Sequence, residues 1–159
     1  MPNVLIVTGE ASGDLHGANL ALALKALDPS VTLVGVGGKA MKAAGVRMIQ
    51  GFGHLDVIGV VGLGGLWSLF KQLVAMRRLF RSERWDAVVF IDNPGVNLRY
   101  AFFAKAAGLP VIYYIAPQIW AWKPSRIKYI RARVDRVVVI LPFEEEIYHR
   151  AGVACTFVG

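Results

Sequence analysis

Short apolar runs rich in β-branched residues alternate along this chain with longer stretches whose apolar positions recur every three or four residues. The first kind suits strands buried on both faces, the second suits helices laid against a sheet. Residues 3–7 read as a strand, and 14–27 as a helix ended by the Asp28-Pro29 break. Residues 31–36 form a second strand, followed by a Gly37-Gly38 turn, a short helix over 39–44 stopped by Gly45, and a short strand over 47–49. Residues 66–82 carry a helical pattern with Arg77, Arg81 and Arg84 along one face. Residues 87–91 are an unbroken apolar run, as a central parallel strand requires. The alternation then continues with a helix over 96–107, a strand over 111–115, an aromatic loop, and a basic helix over 124–132. A strand over 136–141, a helix over 143–151 and a strand over 154–158 complete it. Strands separated by helices predict right-handed crossovers and an α/β fold: a doubly wound, Rossmann-like parallel sheet.

A length of 159 residues fits one domain with a sizeable core, and 55% hydrophobic against 18% charged residues excludes disorder. The net charge of +7 favours anionic partners: phosphate groups, nucleic acid or an anionic membrane surface. A single cysteine, Cys155, excludes an internal disulfide and a multi-cysteine metal site. The opening MPNVLIVTGE lacks a basic leader and a long apolar core, so no signal peptide is expected. The 14 residues of 57–70 (VIGVVGLGGLWSLF) are uncharged but hold four glycines, fewer than the roughly 20 apolar residues that span a bilayer. They suit a buried segment or an interfacial one.

In doubly wound sheets ligands bind outside the carboxyl ends of the strands, which singles out four loops. The first, GEASGDLHG, spaces Gly9, Gly13 and Gly17 four apart and lacks the lysine of a Walker loop and the G-x-G of a dinucleotide loop. Either Ser12 or Asp14 caps the following helix with glycines easing the turn, or small residues admit a sugar while Glu10 or Ser12 binds its hydroxyls. The second, IDNPGVN, sets Asp92 at the mouth of the most apolar strand. Partial desolvation there favours a general base; a turn or a cap for the next helix is the plainer alternative. The third, YYIAPQIWAWKPSR, places Trp120 and Trp122 after a proline, as faces for sugars or acyl chains or as wedges into the core. Lys123, Arg126, Lys128, Arg131, Arg133 and Arg136 follow, either as a solvated face or an anion-facing one. The fourth, VGVGGKAM, reads as a strand-to-helix turn. His16, His54 and His149 show no metal-ligand spacing, and no nucleic-acid module is evident.

The segments GEASGDLHGA, VGVGGKAM, DVIGVVG, IDNPGVN, APQIWAWKPSRIKYI and LPFEEEIY together resemble the lipid A disaccharide synthase family, in that family's order. The resemblance implies half of a two-domain GT-B-type glycosyltransferase: an N-terminal, acceptor-side domain over residues 1–159, with a further C-terminal domain binding most of a UDP-sugar. It implies transfer of 2,3-diacylglucosamine from its UDP derivative to 2,3-diacylglucosamine 1-phosphate, forming a β-1,6 linkage and UDP, with no metal or cofactor. The isolated domain would then be inactive. Asp92 matches the family's general base. Substrate contacts are expected at Gly9, Glu10, Ser12, Gly13, Asp14, Gly38, Met41, Asn93, Asn97, Pro117, Trp120 and Trp122. An apolar surface reaching acylated substrates in an anionic membrane is expected from Val57, Ile58, Val60, Val61, Leu63, Leu66, Trp67 and Phe70, beside Lys71, Arg77, Arg78 and Arg81. That places the protein in the cytoplasm, peripheral on the inner face of the inner membrane. Two departures stand out: Gly95 replaces the family's usual second acid, and Gly62 replaces a common glutamate. A non-catalytic lipid- or membrane-binding module that keeps the fold is the alternative.

Overall fold

The computed structural model describes residues 1–52, 63–121 and 124–159. Seven strands form one parallel sheet: β1 (Asn3–Thr8), β2 (Thr32–Val36), β3 (Arg47–Met48), β4 (Ala87–Ile91), β5 (Val111–Tyr114), β6 (Arg136–Val139) and β7 (Cys155–Phe157). Their order is β3-β2-β1-β4-β5-β6-β7. The expected doubly wound, Rossmann-like sheet is therefore present, and its order reverses between β1 and β4. Among the described residues six α-helices connect the strands: α1 (Ala11–Leu27), α2 (Lys39–Ala43), α3 (Leu63–Ser82), α4 (Pro94–Ala106), α5 (Ile127–Arg133) and α6 (Pro142–Arg150).

Alternation along each strand divides the core. Leu5, Val7, Val88, Phe90, Tyr113, Val137 and Val139 enter a large cluster with side chains of α3, α4, α5 and α6, among them Phe80, Tyr100, Ile130 and Tyr148. Ile6, Leu33, Val89 and Ile91 turn to the opposite face, where Ala18, Ala21 and Met41 from α1 and α2 cover them.

That second layer is thin because glycines let backbone lie close. A Cβ at Gly17 would fall 2.7 Å from the sulfur of Met41, one at Gly37 2.6 Å from the same sulfur, and one at Gly35 2.5 Å from its terminal methyl. Met41, fully buried, fills the space that the bare Gly17, Gly35 and Gly37 leave open. The five-residue α2 is too short to persist alone, and Asp14 supplies what it lacks. The Asp14 carboxylate accepts from the N–H groups of Gly38 at 2.9 Å, Ala40 at 2.8 Å and Met41 at 3.1 Å. These are orphan donors of a helix start, satisfied from a neighbouring helix.

Several boundaries depart from the pattern-based expectation. α1 begins at Ala11, three residues before Asp14, with Glu10 at the capping position and no side-chain cap bond. Ser12 and Asp14 therefore lie inside the helix and neither caps it. Asp14 is spent on α2 instead. α3 likewise starts before residue 66, and Arg84 lies beyond its end. α4 starts at Pro94, whose missing N–H costs nothing at a first helical position. The basic stretch divides into a 3₁₀ turn, Pro124–Arg126, and α5. β6 stops at Val139, the last residue paired with β7, and Leu141 then stands extended at the capping position before Pro142.

Replacing Gly35 by alanine would drive a Cβ to 2.5 Å from Met41 Cε and 2.8 Å from Val46 Cγ1. Gly35→Ala should lower the stability measured by urea unfolding by about 1–3 kcal/mol. The loss should shrink in a Met41→Ala background, where the new methyl finds room, although Met41→Ala itself costs about 2–5 kcal/mol.

Candidate functional site

The reversal of strand order creates a crevice between the loops that leave β1 and β4. Thr8 pairs with Ile91 at the ends of the two strands, so Gly9 and Asp92 emerge side by side. On the β1 side stand Gly9, Glu10 and Ser12, with Glu10 and Ser12 exposed at the start of α1. Gly13 is buried: a Cβ there would lie 2.0 Å from Thr8 Oγ1, so its bareness serves packing. Asp14 and Gly38 are joined by the hydrogen bond between them, and Met41 lies in the core beneath α1. Of the seven crevice candidates in the two glycine-rich loops, Gly9, Glu10 and Ser12 remain facing outward, while Met41 is removed from ligand reach by burial.

On the β4 side the backbone is strained. Asp92 has φ 51° and Asn93 φ 42°, and on neighbouring β5 the following Ile115 has φ 56°. Such values are uncommon for non-glycine residues and exceptional for a β-branched one, and they gather at functional sites. Asn93 occupies the capping position of α4, yet its side chain makes no cap bond. Its carbonyl accepts from the Val96 N–H at 3.3 Å and the Asn97 N–H at 3.0 Å instead. Asn97 is fully buried and its amide donates to the carbonyls of Ile91 at 3.1 Å and Asp92 at 2.8 Å. Asn97 thus supports the turn from below. The Asp92 carboxylate is partly buried and has no hydrogen-bond partner among the described residues.

The aromatic loop after β5 forms the next wall. Pro117 and Ile119 are buried, while Gln118 and Trp120 face out. The loop is tied to α6 at two points: Trp120 Nε1 donates to Glu144 Oε1 at 3.1 Å, and the Tyr148 hydroxyl donates to the Pro117 carbonyl at 2.8 Å. The Trp120 ring also meets Phe143 edge-on at 5.2 Å. Glu144 is a carboxylate at 2% exposure in the first turn of α6, where the helix dipole favours negative charge. Trp120 is therefore half exposed and held by its polar edge. Trp122 lies outside the described residues. Across the crevice, His16 of α1 sits edge-on to Tyr114 at 6.4 Å.

Of the apolar surface candidates, Val57, Ile58, Val60 and Val61 lie outside the described residues, and Leu63 is placed only as the first residue of α3. Leu66, Trp67 and Phe70 are 67%, 60% and 56% exposed on that helix. Trp67 stacks on Phe70 at 5.7 Å, and the Lys71 ammonium lies 5.5 Å from the Trp67 ring. Arg77, Arg78 and Arg81 are exposed further along. No helix among the described residues is long and apolar enough to cross a membrane.

Three residues that pattern reading passed over shape the site: Tyr113, Tyr148 and Glu144. Each resembled ordinary core or surface in the sequence, since their partners lie on other elements. Burial pushes the Tyr100 hydroxyl up to about 12. Burial, then the charge of Asp92 and the neighbouring Tyr148, holds Tyr113 well above the ordinary tyrosine value, and burial followed by Glu144 raises Tyr148. The folded state thus keeps protons that the unfolded chain sheds near pH 10. The stability these groups contribute is complete below about pH 10 and is lost as pH rises through the raised folded values. Denaturant unfolding followed from about pH 9 to 11 should show that decline, and Tyr100→Phe should make it shallower.

A family model described as Lipid-A-disaccharide synthetase matches residues 4–159. The lipid-A-disaccharide synthase of Coxiella burnetii (strain Dugway 5J108-111) is 45% identical over 161 residues, 99% of this chain and 42% of that protein. That of Geobacter metallireducens is 43% identical over 157 residues, 98% of this chain and 41% of the relative. The chain thus spans less than half the length of these relatives. A putative UDP-N-acetylglucosamine 2-epimerase from Listeria monocytogenes superposes with a TM-score of 0.69 at 12% identity, covering 94% of this chain and 41% of that one. MurG of Acinetobacter baumannii superposes at 0.59 with 14% identity, covering 89% and 42%. At these identities the structural likeness is one of fold. The sequence match runs from β1 through β7 and takes in every loop of the crevice: this chain belongs to the lipid-A-disaccharide synthetase family.

Proposed function

We propose that this chain is the acceptor-side domain of an inverting glycosyltransferase acting in lipid A biosynthesis. The observation that carries the reading is the Asp92 carboxylate, partly buried and without a hydrogen-bond partner among the described residues, at the mouth of the β1/β4 crevice. Such a group can accept a proton without first breaking a bond. The acceptor is 2,3-diacylglucosamine 1-phosphate and the donor is UDP-2,3-diacylglucosamine. Asp92 takes the proton of the acceptor 6-hydroxyl as that oxygen attacks the donor's anomeric carbon. The new C–O bond forms as the bond to UDP breaks, the diphosphate carries away the electron pair, and the β-1,6 linkage results by inversion. Gly9, Glu10, Ser12 and Asn93 flank the acceptor sugar, and Pro117 and Trp120 offer an apolar wall. Most donor contacts are assigned to the part of the relatives' length that this chain does not span.

The assay joins the chain to the C-terminal part of the Coxiella burnetii relative and follows disaccharide formation. Asp92→Ala should reduce turnover by about 10²- to 10⁴-fold. Turnover equal to the parent would remove Asp92 from the mechanism. A parent chimera that folds and binds acylated glucosamine phosphate without turning over would favour a non-catalytic lipid-binding module, a reading consistent with Gly95 in place of an acid.

The stacked Trp67–Phe70 pair, exposed Leu66 and adjoining cations support peripheral attachment to the inner face of the inner membrane. Apolar insertion beside basic attraction is the usual route to an anionic bilayer. Sedimentation with vesicles containing anionic phospholipid should show binding that Leu66→Glu with Trp67→Glu largely abolishes. Undiminished binding would assign attachment to another surface.

A further inference from the structure

Tyr113 is fully buried beneath the crevice, and its hydroxyl donates to the main-chain carbonyl of Asp92 at 2.6 Å. The buried Asn97 amide donates to the same oxygen at 2.8 Å. That oxygen belongs to the peptide between Asp92 and Asn93, both held at positive φ. Two buried polar side chains, one from β5 and one from α4, thus converge on the peptide of a backbone conformation that L-residues resist. An extended Asp92 would swing this carbonyl away from both donors, leave the phenol unpaired in the core and cost the Asn97 amide one of its two acceptors, a costly state. The conformation of Asp92 is therefore coupled to the satisfaction of Tyr113 and Asn97.

We propose that Tyr113 is a positioning residue: its hydroxyl locks the Asp92–Asn93 peptide in the left-handed conformation and so fixes where the Asp92 carboxylate stands in the crevice. It acts through main chain and does not touch the substrate. The consequence for catalysis rests on Asp92 being the general base; the locking itself does not. Without the phenol, Asn97 still holds the turn, so the fold persists while Asp92 samples other backbone states. A nucleophile activated by a base that is aimed only part of the time is turned over more slowly but bound as before.

Tyr113→Phe removes one oxygen and keeps the ring that packs against Phe90. In the chain itself, amide exchange of residues 92–97 should quicken about tenfold, the scale of one buried hydrogen bond, while β1 and β2 amides exchange as before. Backbone carbon shifts of Asp92 and Asn93 should move toward extended values. In the joined enzyme, kcat should fall about tenfold with KM unchanged. With Asp92→Ala already present, Tyr113→Phe should bring no further loss, since its effect passes through that carboxylate. Unchanged exchange and shifts in Tyr113→Phe would overturn the locking. An undiminished kcat would overturn its catalytic consequence if Asp92→Ala is inactive. Full activity of Asp92→Ala would sink the general-base reading alone, because exchange and shifts judge Tyr113 without turnover.

Discussion

The parallel pairing of β1 with β4 is the constraint on which the rest of the molecule depends. The chain starts in the middle of its own sheet, adds β2 and β3 on one side, and must then cross back to place β4 on the other. Right-handed crossovers in both directions send α1 to one face and α4 to the opposite one. The two strands end level, at Thr8 and Ile91, so their loops part at the same height. The crevice, the strained turn at Asp92 and the aromatic wall beyond it all inherit their positions from that single strand neighbour relation.

Within this frame the glycine-rich segments divide their work. A side chain at Gly13, Gly17, Gly35 or Gly37 would enter space that Thr8 and Met41 already fill. Their spacing follows the demands of helix-on-sheet packing. Asp14, the most conspicuous charge of the first loop, serves three backbone amides of α2. The side chains that the crevice exposes come from the rim of α1 and from the β4 turn. A loop that looked, letter by letter, like a site is in greater part the joint between two helices.

What the sequence made legible follows how local each cause is. Ala87–Ile91 was bounded correctly, since a run apolar on both faces allows little else, and Asp92 directly after it was conspicuous for the same reason. The start of α1 was not: Ser12 and Gly13 read as a turn, and the close approach of Thr8 that requires a glycine inside the helix is invisible along the chain. Residues 140 and 141 look like strand because Ile140 and Leu141 are apolar, although the pairing with β7 ends at Val139 and leaves them no ladder partner. Tyr113 looks like one more core aromatic, as its partner stands 21 residues earlier in the turn after β4. Among three consecutive glutamates, nothing marked Glu144 as the buried one that holds Trp120. Composition and periodicity report what a segment prefers. The identity of its partner depends on folding.

Pro94 at the head of α4 bears on how the crevice ages. An asparagine side chain deamidates when the backbone nitrogen of the next residue attacks its carboxamide, and that nitrogen must be able to lose a proton. Asn93 is nearly buried at the crevice mouth and followed by a proline, whose ring nitrogen carries none. The residue that starts the helix thereby closes the ordinary route of chemical decay beside the Asp92 carboxylate, in a turn whose backbone could not readily absorb an extra charge or an inserted methylene.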